Sequence, residues 1–188
     1  MRLILGITGA SSVRLATKFS EVSKQLDIEL YSVISKAAEK VFSYEDPGGI
    51  DTIRRNSKAL YYENEMDAPI ASSSFPTDGM VIMPCTMNTA AKIAHGISDN
   101  LILRAADIQI KMRNKLVLVP RESPLSPIHL RNLYRVSLMG NTYIILPLLT
   151  YYHEPVTIED MEMFTIGKVL DVFGVKHNIY KRWGGGGE

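Results

Sequence analysis

The chain has 188 residues, with 46% hydrophobic and 22% charged, the length and balance of one globular domain. Lys and Arg total 21 against 20 for Asp and Glu, so charge gives no case for nucleic acid or an anionic membrane as partner. No stretch approaches the roughly 20 apolar residues of a membrane span.

In chain order, five short apolar runs read as strands: residues 3–7, 29–34, 80–83, 116–119 and 143–146. Most do not alternate, which suits strands buried on both faces. Helical spacing separates them. Leu15, Phe19, Val22 and Leu26 mark a first helix. Further helices are predicted over residues 37–42, 86–95, 99–112, 127–138 and 158–173. Alternating strands and helices predict a flavodoxin-like or Rossmann-like three-layer sandwich around a mainly parallel sheet of five to six strands. Residues 46–75 fit least well, with a short helical piece over 50–56 and then a loop. One domain is expected over residues 1–183, followed by a flexible glycine-rich tail over 184–188. The lone cysteine, Cys85, allows no internal disulfide, and the apolar run at residues 3–7 is short for a signal peptide. A cytoplasmic location is expected.

Polar residues collect after the strands. Thr8-Gly9-Ala10-Ser11-Ser12 follows the first and Ser35 the second. Pro84-Cys85-Thr86-Met87-Asn88-Thr89 follows the third, and Arg121-Glu122, fenced by Pro120 and Pro124, follows the fourth. Ligands of open parallel sheets bind at these strand ends. The Gly9 turn suits either an anion or a plain capped βα turn. It is neither a dinucleotide fingerprint nor a P-loop. Thr86 to Thr89 opens a helix, with capping the simpler role. Lys168 falls among Met161, Phe164, Thr165, Val169 and Val172, which predicts a cation on an apolar helix face, either snorkelling or awaiting an anion. His95, His129, His153 and His177 lack ligand spacing, so no metal is expected.

Several segments in order resemble the UbiX-type flavin prenyltransferases, within the homo-oligomeric flavin-containing cysteine decarboxylase superfamily. They are GITGAS, VISKAA, APIASSSFPTDGMVIMPCTMNTAAKIAHGISDNLILRAAD, KLVLVPRESPLS, YYHEP, TIEDMEMF, GKVLDVFGV and a closing RW. The resemblance implies binding of flavin mononucleotide (FMN). It also implies transfer of a dimethylallyl group from a prenyl monophosphate to N5 and C6 of the reduced flavin. The prenylated flavin then serves a UbiD-type decarboxylase, and the enzyme is a large homo-oligomer with shared sites. By position, Gly9, Ala10, Ser11, Ser35, Thr86, Met87, Asn88, Thr89 and Arg121 resemble flavin contacts. Lys111, Glu122, Tyr152 and Lys168 resemble groups around the prenyl phosphate, and Glu45 an acidic position near the reacting centre. Two departures stand out: about four residues are missing after Ser11, and Asn88 stands where relatives commonly carry lysine. An FMN-dependent cysteine-type decarboxylase, which would need a histidine base near the flavin, is the alternative enzyme. A non-catalytic flavin carrier is the other alternative.

Overall fold

The computed structural model describes residues 1–183; the expected tail over 184–188 lies outside them. The chain begins with β1 (Arg2–Ile7), α1 (Arg14–Gln25), β2 (Glu29–Ile34), α2 (Lys36–Glu45), α3 (Gly49–Asn56) and β3 (Ala59–Tyr62). A 3-10 turn over Pro69–Ala71 leads into β4 (Gly79–Cys85), α4 (Met87–Ala94), α5 (Leu101–Met112) and β5 (Lys115–Pro120). Then come α6 (Pro127–Ser137), β6 (Thr142–Ile144) and α7 (Ile158–Phe173). The six strands lie in the order β3-β2-β1-β4-β5-β6, and every neighbouring pair is parallel. This is the doubly wound order, whose direction of winding reverses between β1 and β4.

The apolar strand runs have a physical reason. Leu3, Leu5 and Ile7 of β1 face one core with Phe19 of α1, Phe42 of α2, Ile53 of α3 and Leu170 of α7. Ile4 between them faces the second core, with Met80 and Ile82 of β4, Ile102 of α5 and Val136 of α6. Successive side chains leave a strand on opposite faces, so a sheet covered on both sides needs apolar residues at every position. Phe19 and Phe42 are among the largest fully buried side chains, each contributing about 1.5–3 kcal/mol by leaving water.

Three expectations need correction. β3 is a sixth strand in the segment read as loop; its four residues, Ala-Leu-Tyr-Tyr, are only half-buried. The run at residues 143–146 is not buried on both faces. It forms a three-residue edge strand with Tyr143 exposed. The apolar residues beyond it, Leu148, Leu149 and Tyr151, are exposed in the single chain. Lys168 does not lie in the buried stripe of α7. Ile166, Val169, Leu170 and Phe173 form that stripe. At about 100° per residue, Lys168 points away from both Ile166 and Leu170.

Among the described residues no helix is long and apolar enough to cross a membrane.

Candidate active site

The ends of β1, β2, β4 and β5 come level at one sheet edge, with Ile7 beside Ile34 and Cys85 beside Pro120. Thr8 ties the switch point together. Its hydroxyl donates to the Pro84 carbonyl at 2.8 Å and accepts the Thr86 N–H at 2.8 Å. The Arg121 N–H donates to the Cys85 carbonyl, which fixes the β5 exit against β4. Gly9 is held by packing: a Cβ there would lie 2.4 Å from the Ala37 Cβ, so the first turn can sit against α2 only without a side chain.

Gly9, Ala10, Ser11, Thr86, Met87, Arg121 and Glu122 line a cleft of about 240 Å³ at this edge. Larger hollows exist, of about 530 Å³ by Met139 and about 570 Å³ between α1 and α3, but neither contains the Arg121 edge. The cleft's donors suit an anion. Thr86 caps α4 by accepting the Thr89 N–H at 3.1 Å, and its hydroxyl pairs with that of Thr89 at 2.9 Å. That leaves the Met87 and Asn88 N–H groups without helix partners, the normal state of a first turn. Among the described residues Arg121 and Glu122 form no ion pair; the Glu122 carboxylate accepts only the neighbouring Ser123 N–H, at 3.0 Å. The α6 cap explains how this exit is held. Ser126 accepts the His129 N–H at 3.2 Å, and His129 Nδ1 accepts the Ser126 N–H at 3.3 Å.

The segment after Ser11 closes through an unusual turn. Ser12 has φ 80°, in the left-handed region that few non-glycine residues adopt. Its N–H donates to the Glu45 carboxylate at 2.7 Å. Helix α1 has no acidic residue in its first turn, so Glu45 supplies the negative charge that its N-terminus favours. Glu45 therefore stands at the edge of the site.

The remaining expected residues divide. Ser35 caps α2, accepting the Ala38 N–H at 3.1 Å. Thr89 is buried and Asn88 exposed. Lys111 sits in the last turn of α5, directly before β5 begins. It therefore lies at the opposite end of β5 from Arg121, a span of about 20 Å at roughly 3.3 Å per residue. Within one chain it does not join the cleft.

Tyr152 and Lys168 belong to a second cluster on α7. Tyr152 stands edge-on to Phe164 and Trp183, with centroids 5.7 and 5.6 Å away. The Lys168 ammonium lies 5.9 Å from the ring centroids of Phe164 and Tyr180, a cation–π distance. Its side chain is 45% exposed and its nearest carboxylate, Asp171, is 3.9 Å away. Asp171, absent from the sequence reading, also binds His177, Tyr180 and Arg182. These partners lie 6 to 11 positions further on, beyond the reach of a helical spacing rule. Burial pushes the Cys85 thiol up to about 12, so it stays protonated and unreactive.

A family model described as Flavoprotein matches residues 1–180. The chain is 43% identical to the flavin prenyltransferase UbiX of Thermoplasma acidophilum, covering 97% of this chain and 100% of that protein. It superposes with a TM-score of 0.94 on AnUbiX (PadA1) in complex with FMN and dimethylallyl pyrophosphate. That pair is 38% identical, with 98% of this chain and 97% of the other covered. A dodecameric FMN-dependent UbiX-like decarboxylase from Escherichia coli O157:H7 also gives a TM-score of 0.94, at 37% identity, covering 98% and 100%.

Proposed function

This chain belongs to the Flavoprotein family, and on that premise we propose that it is a flavin prenyltransferase. Its substrates are reduced FMN and a dimethylallyl phosphate ester, and it joins the prenyl group to N5 and C6 of the flavin. One observation carries the reading. A relative that superposes over 98% of this chain holds FMN and dimethylallyl pyrophosphate together; in support, Arg121 and Glu122, without ion pairs among the described residues, line the cleft at the switch point, where ligands of open parallel sheets bind. We take the monophosphate as the donor and a UbiD-type decarboxylase in the cytoplasm as the recipient of the product.

The cleft fits a flavin phosphate or ring edge. It offers hydroxyls at Ser11 and Thr86, free helix-start N–H groups and one guanidinium. The flavin supplies a nucleophilic N5 and C6. The protein must stabilise the negative charge that grows on the phosphate as its bond to the prenyl carbon breaks and the electron pair leaves with it. Arg121, Lys168, the Tyr152 hydroxyl and Lys111 serve that purpose. Glu122 carries the proton lost as C6 regains aromaticity, or delivers one to the departing phosphate.

A single chain gives only part of this site. Its cleft of about 240 Å³ is below the roughly 300–1,000 Å³ usual for small-molecule pockets. Lys111 lies at the wrong end of the sheet. Exposed Leu148, Leu149 and Tyr151 would be covered in a large homo-oligomer, such as the dodecamer of the E. coli relative. Lys111 then enters from a neighbouring subunit.

The cysteine-decarboxylase alternative lacks its base on the described chain. His129 is spent on the α6 cap, His95 contacts Arg135, and His177 contacts Asp171. His153 is buried against Phe164. None lines the cleft. The flavin-carrier alternative predicts binding without turnover. Anaerobic incubation with reduced FMN and dimethylallyl monophosphate should release inorganic phosphate only when both are present. Flavin-independent release, or none with either the mono- or the diphosphate, would refute the proposal.

A further inference from the structure

After Gly174 closes α7, the chain has no regular structure through Trp183. A segment without regular structure frays unless something ties it down. Here the tie is one carboxylate. Asp171 Oδ1 accepts from His177 Nε2 at 3.1 Å and from Arg182 at 2.7 Å. Its Oδ2 accepts from the Tyr180 hydroxyl at 2.6 Å and from Arg182 again at 3.2 Å. His177 is fully buried at its side chain. Its Nε2 also lies 3.1 Å from the Gly167 carbonyl; facing two acceptors, that nitrogen carries the proton. Gly167 makes the fit possible, because a Cβ there would stand 2.3 Å from the Tyr180 ring.

The tie reaches the proposed prenyl-phosphate groups. Tyr180 packs edge-on against Phe164, with centroids 5.1 Å apart, and Phe164 and Tyr180 are the two rings beneath the Lys168 ammonium. The Arg182 guanidinium lies 5.2 Å from the Tyr180 centroid, and the next residue, Trp183, reaches Tyr152. One carboxylate faces two permanent cations, Lys168 and Arg182, so the cluster keeps a surplus positive charge for an arriving anion. Remove the carboxylate and the two cations repel each other.

We propose that Asp171 is a positioning residue for the prenyl-phosphate side of the site, strapping residues 175–183 across α7 so that Tyr180 is held beneath Lys168 and Trp183 against Tyr152. The role rests on the function proposed above. The ionisation states agree with it. Burial alone would raise the Asp171 carboxyl, but hydrogen bonds from Arg182 and Tyr180 outweigh burial and hold it below its ordinary range. Burial and the bond to Asp171 push Tyr180 up to about 12. The acceptor thus stays charged and the phenol stays a donor at working pH.

Trp183 is the only tryptophan in the chain, so its fluorescence reports the strap alone. In the full-length protein, Asp171→Asn should make Trp183 more open to acrylamide quenching. It should raise KM for dimethylallyl monophosphate about tenfold, as loss of a charge-assisted partner does. FMN affinity should stay within about twofold, because the 240 Å³ cleft contains none of these residues. Arg182→Gln, at a half-exposed position, should move both readouts the same way and serves as the test if Asp171→Asn fails to fold. Unchanged quenching or an unchanged KM in the folded variants would overturn the role. So would a parallel loss of FMN affinity. An inactive wild type defeats the proposed function; an active wild type with unaltered variants defeats only the role of Asp171.

Discussion

Lys168→Met should lower prenyl transfer by about 10²–10³-fold, the usual cost of deleting one preorganised group that stabilises transition-state charge. The fold should survive. Lys168 lies on the exposed side of α7 with a side chain 45% exposed. Its contact with Asp171, at 3.9 Å, is a surface pair of small worth. Methionine retains the stem that rests near Phe164 and Tyr180. FMN affinity should therefore hold while KM for the prenyl phosphate rises, since the ground-state phosphate is already an anion. Steady-state kinetics in the prenyl phosphate at saturating reduced FMN reads both parameters. Full activity in the variant would make Lys168 a surface cation, and the leaving-group site would then rest on Lys111, Arg121 and Tyr152.

Glu122→Gln is expected to cost about 10²–10⁴-fold in turnover, the range for loss of a positioned proton carrier. The substitution keeps the shape of the side chain and its place after β5. Among the described residues the Glu122 carboxylate accepts one hydrogen bond, from the adjacent Ser123 N–H, so an amide oxygen can replace it there. Stability should change little. Arg121 remains anchored through its own N–H to Cys85, so flavin binding should persist. Single-turnover measurement with preloaded reduced FMN separates the chemical step from product release. A variant with the wild-type single-turnover rate would remove Glu122 from the proton pathway.

The sequence and the structure agree where a short-range rule applies. Apolar runs at both parities of a strand require cover on both faces, and β1, β2, β4 and β5 have it. Ser35, Thr86 and Ser126 cap helices, as hydroxyls before an apolar turn should. That the polar strand exits meet at one edge was legible, because a parallel topology brings them there. β3 was missed because Ala-Leu-Tyr-Tyr is a run of only four residues, at the short end of strand lengths. Lys168 was misplaced because a lysine seven residues after one apolar position is still on the wrong side of a helix whose stripe runs through Ile166 and Leu170. The Ser12–Glu45 contact spans 33 positions, and nothing local in the sequence encodes it. The separation of Lys111 from Arg121 was legible too, because a helix predicted over 99–112 and a strand over 116–119 put Lys111 at the entry of β5 and Arg121 at its exit.

The central claim is that this protein builds a carbon–nitrogen and a carbon–carbon bond between a prenyl group and flavin. Mass spectrometry of the flavin, after anaerobic incubation of the intact protein with reduced FMN and dimethylallyl monophosphate, tests it most directly. The account predicts FMN converted to a species heavier by one five-carbon prenyl unit, with the wild-type protein required and with far less formed by Lys168→Met and Glu122→Gln. Recovery of unmodified FMN alone, from protein shown to bind it and given either the mono- or the diphosphate donor, would contradict it.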